Sequence, residues 1–173
     1  MGKQRRQEIL RLLTEGREPI TGTQLAKYFA VSRQVIVQDI AILRAQGADI
    51  FATSQGYLFG QPHRVTTITK RLACCHSPAQ TRAELMAIVT AGCRVIDVIV
   101  DHSLYGEIRG LLLLETKADV ESFIRRYEKQ TAQLLSTLTG GVHLHTIEAV
   151  DPGAFVETES KLQDLGFLLV EGD

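Results

Sequence analysis

Apolar runs are short in this 173-residue chain: Leu111–Leu114 is one, and none approaches the roughly 20 residues needed to cross a bilayer. Cysteine is scarce, and Cys74, Cys75 and Cys93 cannot all pair with one another. The first six residues, MGKQRR, are basic but lead into helical periodicity, not into the apolar stretch of a secretory signal. Arg6 stands where a myristoylation signal needs Ser or Thr. Free thiols in a reducing cytosol, with no membrane partner, are the expectation. Repeats and low-complexity tracts are missing, as are a phosphate loop, a nucleophile elbow and a Cys-x-x-Cys knuckle, so the common signatures of nucleotide, acyl-transfer and zinc-knuckle chemistry do not apply. An excess of one charge is missing too. The net charge of −1 argues against a wholesale polyanion binder.

That balance hides an asymmetry. Residues 1–60 carry eight Lys/Arg against five Asp/Glu, a net +3, while residues 61–173 carry eleven against fifteen, a net −4. A basic module ahead of an acidic one suits nucleic-acid binding by the first alone. Hydrophobic content of 45% and charged content of 23% are those of a globular chain, long enough for one large domain or two small ones.

The segment from Thr21 to Phe59 reads as a helix-turn-helix followed by a hairpin wing. Thr21 and Gln24 form a capping box, and Leu25 and Phe29 give the short helix one apolar face. Ala30-Val31 make the turn, and Ser32 caps a second helix to about Gln46, with Gly47 as its left-handed stop. Val35, Ile36, Ile40 and Leu43 face inward, which leaves Ser32, Arg33, Gln34, Val37 and Gln38 for the major groove. Arg reads guanine and Gln reads adenine through paired hydrogen bonds. Lys27, Arg44 and the basic Lys3, Arg5 and Arg6 are assigned to phosphates. Ile50–Ala52 and Tyr57–Phe59 flank the wing turn, and an amphipathic helix over Lys3–Glu15 completes the head. The bland alternative is a small helical domain with a solvated polar face, used for protein docking.

Gly60–His63 marks the boundary, giving domains over 1–60 and 64–173. Beyond it come a strand over Val65–Cys75, a helix opened by Ser77-Pro78, a strand over Val95–Val100 and its hairpin partner over Ile108–Glu115. A long helix follows from Thr116, with Val120, Phe123, Ile124, Tyr127, Leu134, Leu135 and Leu138 along its seam. A strand over Val142–Val150, a helix to about Leu165 and a strand over Phe167–Val170 complete the chain. The fold class is α+β: a winged helix-turn-helix, then an α/β sandwich whose antiparallel sheet carries its helices on one face.

His143 and His145 alternate on a strand, so both rings leave one face about 7 Å apart. Such a pair is either a surface or hydrogen-bonded duo, or two ligands of one metal. His76 precedes a helix cap and Glu84 lies two turns into that helix; imidazoles with a carboxylate suit Zn²⁺, Ni²⁺ or Fe²⁺. Cys74 and Cys75 adjoin His76 but read as buried free thiols. His102 and Tyr105 either line a small-molecule pocket or stabilise the turn at Asp101–Glu107.

Together these features resemble the niacin-responsive transcriptional repressors, in which a biotin-repressor-like winged helix is joined to a three-histidine (3H) domain. The resemblance spans nearly the whole chain. It rests on residues 31–34 through Gly47, on Gly56-Tyr57, on Cys75-His76 eight residues before Glu84, on Asp101-His102 and Tyr105–Glu107, and on His143 and His145. It implies an HPr-like topology for the second domain and one divalent metal per chain held by His76, Glu84, His143 and His145. It also implies a cytoplasmic homodimer on a palindromic operator in double-stranded DNA, with nicotinic acid as co-repressor. Arg71, Arg82 and Arg109 are candidate partners of the nicotinate carboxylate on charge alone. A metal-dependent enzyme of nicotinamide or nucleotide metabolism, regulated by its winged helix, is the competing expectation.

Overall fold

The computed structural model describes residues 2–16, 18–60, 66–130 and 132–170. His63 and the expected strand start at Val65 lie outside them. The chain divides into two units, Met1–Pro62 and His63–Asp173.

In the first unit, helices α1 (Gly2–Glu15), α2 (Gly22–Tyr28) and α3 (Arg33–Ala45) precede strands β1 (Ile50–Thr53) and β2 (Gly56–Phe59). Local chemistry sets each boundary. Thr21 and Gln24 exchange the two bonds of a capping box, and the Ser32 hydroxyl accepts the Val35 N–H. Ala30 takes the left-handed conformation (φ 51°) that the helix-turn-helix bend requires. Ile9, Leu13, Leu25, Ile36, Ile40, Leu43 and Ile50 close the core, while Val35, expected inward, is only half-buried. Gly56 (φ 135°) is obligatory, because a Cβ there would come within 2.6 Å of the Ile20 backbone, which pairs with Tyr57.

Arg5 and Arg6 depart from expectation. Asp39 lies buried on α3 and accepts from Arg5 Nε (2.5 Å) and Arg6 Nη1 (3.3 Å), tying α1 to α3. A buried carboxylate needs such partners, so both arginines have a duty in the fold.

The second unit contains β3 (Ile68–Cys75), a 3-10 turn (Pro78–Gln80), α4 (Thr81–Thr90), β4 (Arg94–His102), β5 (Gly106–Leu114), α5 (Lys117–Lys129), a 3-10 turn (Leu135–Thr139), β6 (Val142–Ala149) and α6 (Gly153–Asp164). Its strands pair antiparallel in the order β5-β4-β6-β3. Counted within the unit this is 3-2-4-1, the HPr-like arrangement. Leu72, Val95, Leu112, Leu114 and Ile147 of the sheet share one core with Leu85 and Ile88 of α4, Val120 and Ile124 of α5, and Phe155 and Leu162 of α6. One face of the sheet therefore carries all three helices.

Two expected elements are shorter. The helix from Thr116 ends at Lys129 with Gln130 extended (φ −106°, ψ 151°), and Leu135–Thr139 form a separate 3-10 turn. The hydroxyls of Thr137 and Thr139 donate to nearby carbonyls, of Leu134 and Ser136, in the competition that breaks helices at such residues. Phe167–Val170 is a bridge and not a full strand: Gly166 turns (φ 73°), and only the Cys75 and Leu169 N–H groups bond between this segment and β3. No helix among the described residues is long and apolar enough to cross a membrane.

Candidate functional site

On the head, Ser32, Arg33, Gln34 and Gln38 stand exposed on the first two turns of α3, opposite Ile36 and Ile40. Lys27 near the end of α2 and Arg44 near the end of α3 are exposed as well. The polar side chains expected to meet bases thus share one surface with no core duty.

In the second unit the histidines are buried. His76 follows β3, and the short 3-10 turn after it brings Glu84 into the first full turn of α4, closer than the expected two turns. The pairing of β3 with β6 sets Cys74 opposite His143 and Leu72 opposite His145. Around Glu84 three imidazoles converge. His76 Nε2 lies 2.6 Å from Oε2, His143 Nε2 3.0 Å from Oε1 and His145 Nε2 3.3 Å from Oε2. The His76–His143 and His143–His145 ring centroids are each 4.9 Å apart. All four residues are at most 8% exposed.

Each ring is fixed from behind. His76 Nδ1 donates to the Ser77 carbonyl (2.8 Å), His143 Nδ1 to that of Gly141 (2.8 Å) and His145 Nδ1 to that of Asp97 (2.6 Å). A carbonyl only accepts, so Nδ1 carries the proton in all three and Nε2 turns to the carboxylate. Asp97 lies beside a β-bulge at residues 95–97 of β4, and its own carboxylate accepts the Thr146 N–H. Gly141 is the residue that pattern reading missed. It has φ 98°, and a Cβ on it would fall 2.4 Å from the His76 carbonyl oxygen. Its carbonyl receives both the His143 ring and the His76 N–H (3.4 Å), so only glycine lets the two segments meet.

Burial alone would drive the Glu84 pKa up. The charge of His145 and the hydrogen bonds of His143, His145 and His76 outweigh it and hold the carboxylate well below its usual range. Burial pushes His76 and His145 down, but the hydrogen bond and charge of Glu84 raise both above the ordinary imidazole value. Three Nε2 lone pairs facing a carboxylate require a cation among them, either protons or a metal ion. Neutral nitrogens with one carboxylate oxygen fit a borderline divalent ion. Cys74 is buried within 4.8 Å of the Glu84 and His143 donor atoms; burial and the Glu84 charge push its thiol up, which keeps it protonated.

The cluster floors a cleft of about 320 Å³ of non-protein space, open solvent included, walled by Val98, Leu112, Phe123, Leu134 and Leu135. None of the five residues assigned to an effector lines it. Arg82 is paired with Glu121 and Glu128 on α5, Arg109 with Asp97, and Arg71 is exposed on β3. His102 Nδ1 accepts the N–H groups of Leu104 and Tyr105 at the hairpin tip, and Tyr105 is 73% exposed, so this pair stabilises the turn. The signal that would have found the cleft is a tertiary one: apolar side chains of α5 and the 3-10 turn laid over paired histidines.

Comparison with known proteins agrees with this division. Residues 5–58 match the HTH domain and residues 69–171 match the 3H domain. The chain is 42% identical over 170 residues to the probable transcription repressor NiaR of Thermotoga maritima, covering 98% of this chain and 96% of that one. It is 40% identical over 173 residues to the transcription repressor NadR of Bacillus subtilis, covering 98% and 95%. Both relatives are named as repressors and neither as an enzyme. With the exposed recognition helix and the histidine-lined cleft behind these matches, the chain belongs to the family of helix-turn-helix transcription repressors that carry a 3H domain.

Proposed function

We propose that the chain is a repressor of NAD-synthesis and niacin-uptake genes whose hold on operator DNA is set by nicotinic acid at the 3H domain. The observation that carries this reading is the convergence of His76, His143 and His145 on Glu84 at the floor of a small cleft. These four residues would hold one divalent ion, nickel, zinc or iron, per chain. When bound, the ion supplies an electrophilic position for a nitrogen or carboxylate donor of the ligand. The apolar wall excludes water and accepts a flat ring, and the carbonyls of Ser77, Gly141 and Asp97 keep the imidazoles aimed.

On DNA, Arg33, Gln34 and Gln38 read base edges, Ser32 sits with them at the start of the recognition helix, and Lys27 and Arg44 contact phosphates. A homodimer in the cytoplasm presents two such heads to half-sites about one helical turn apart. Nicotinate strengthens binding to the extent that it prefers the DNA-competent arrangement. The test is operator affinity with and without nicotinate for the native protein and for His143→Ala/His145→Ala, on a duplex selected in vitro. The native protein is expected to tighten and the double variant to ignore the ligand. Equal ligand dependence in both removes the histidine cluster from the mechanism.

A further inference from the structure

Thr81 opens α4, three residues ahead of Glu84, and lines the cleft. It is 7% exposed, and its Oγ1 is buried with no hydrogen-bond partner among the described residues. Hydroxyls at helix starts ordinarily cap a backbone N–H. The box that Ser77 and Gln80 form belongs to the preceding 3-10 turn, and α4 itself begins with no side-chain cap bond, so the start of the helix makes no use of Thr81. Buried hydroxyls in folded proteins are paired, and one left over at a ligand cleft calls for a partner from outside the chain.

Of the other polar groups lining the cleft, the histidine nitrogens are divided between backbone carbonyls and Glu84, and Ser136 on the 3-10 turn adds a second hydroxyl. Among the described residues no Lys or Arg lines the cleft, so the positive charge that meets an entering anion resides on the histidine cluster or its ion. A polar contact away from that charge falls to a neutral hydroxyl, and Thr81 is placed for it. A staggered turn about χ1 exchanges its hydroxyl and methyl, and Thr in a helix populates two such states.

We propose that Thr81 is the specificity-determining residue of the cleft, its hydroxyl hydrogen-bonding the carboxylate or carboxamide oxygen of a small planar ring compound. The ring packs against Phe123, Leu134 and Leu135. The inference rests on the effector reading given above and assigns the polar contact that none of the arginines makes. Because a hydroxyl both donates and accepts, it serves the carboxylate and the carboxamide alike.

The test is calorimetry of Ni²⁺-loaded full-length protein against nicotinate and nicotinamide, with Thr81→Val, Thr81→Ala and Thr81→Ser variants, and with Ni²⁺ affinity measured for each. Val and Ala are expected to weaken nicotinate about 10- to 100-fold, the range for a hydrogen bond to a charged group, while Ser stays within about threefold of the native protein. Nickel affinity is expected to be unchanged in all three. Native binding with undiminished affinity in Val and Ala overturns the role of Thr81 and leaves the effector reading standing. A loss in Val and Ala that Ser fails to restore, or one matched by equal loss of Ni²⁺, also overturns it. No binding of either compound by native protein overturns the effector reading, and this inference with it.

Discussion

In the head, Arg33, Gln34 and Gln38 stand in solvent on a helix whose other side is closed by Ile36, Ile40 and Leu43. In the second unit His76, Glu84, His143 and His145 are themselves among the most buried residues, held by one another, by backbone carbonyls and, at Glu84, by the Cys74 thiol. The head therefore separates stability from recognition. Its surface residues are replaceable one at a time with little cost to folding. The 3H unit fuses the two, since a change at the site is also a change in the core.

The largest effect is expected where that fusion is tightest. Gly141→Ala forces a Cβ onto the His76 carbonyl in a left-handed conformation, and is expected to destabilise the second unit by about 2–4 kcal/mol in denaturant unfolding. It should disable the cluster as well. Unaltered stability would show that the approach of the two segments is not required. Glu84→Gln keeps the shape and removes the only carboxylate of the cluster. Its affinity for a divalent ion should fall at least about 100-fold by competition titration, beyond the change usual for residues one step removed from the ion.

On the head the losses are confined to DNA. Arg33→Ala is expected to cost about 1–3 kcal/mol of operator affinity and to relax preference at one base position, with the melting temperature unmoved. Lys27→Ala should weaken all sequences alike and lower the salt dependence by about 0.9 in the log–log slope. If Arg33→Ala destabilised the fold instead, the contrast between the two units would fail.

The pH dependence of the metal-free protein sharpens the same contrast. His76 and His145 are raised, so their stabilising contribution is complete below the ordinary value of 6.5 and fades as pH rises through the raised values. Glu84 is lowered, so its contribution is complete above 4.5 and fades as pH falls through the lowered value. Stability of the chelated protein should peak between 4.5 and 6.5 in denaturant titrations. Added metal should shift the peak to higher pH, because the ion competes with protons for the imidazoles. The smallest effect is Ala30→Gly, which relieves a left-handed alanine and should stabilise the head by about 1 kcal/mol at most.

The same division governs what could be read in advance. The head was legible because its determinants are local: a capping box four residues long, a cap at Ser32, a stop at Gly47 and core spacing along one helix. In the second unit the helix start at Thr116 was as clear, and the His143–His145 alternation placed both rings on one face. Spacing alone left that pair undecided between a surface duo and a metal pair. Only the pairing of β3 with β6 brings His76 to it. The apolar period running to Leu138 mimicked a continuing helix, because spacing does not record that Thr137 and Thr139 bond locally and that Leu135 packs against Gly110. The duty of Arg5 and Arg6 in the fold was hidden for a related reason: their partner Asp39 lies over thirty residues away. The arginines assigned to the effector were chosen by charge, and charge does not say that Arg82 and Arg109 already have acidic neighbours.

The anchoring of the three rings has a mechanical consequence. The carbonyls that hold them belong to the residue after His76, to the glycine ahead of β6 and to the bulge of β4, so a guest gripped by all three Nε2 atoms laces three stretches of backbone to the first turn of α4. Chelation undoes every lace together, and amide protons of all four stretches should begin to exchange faster at once.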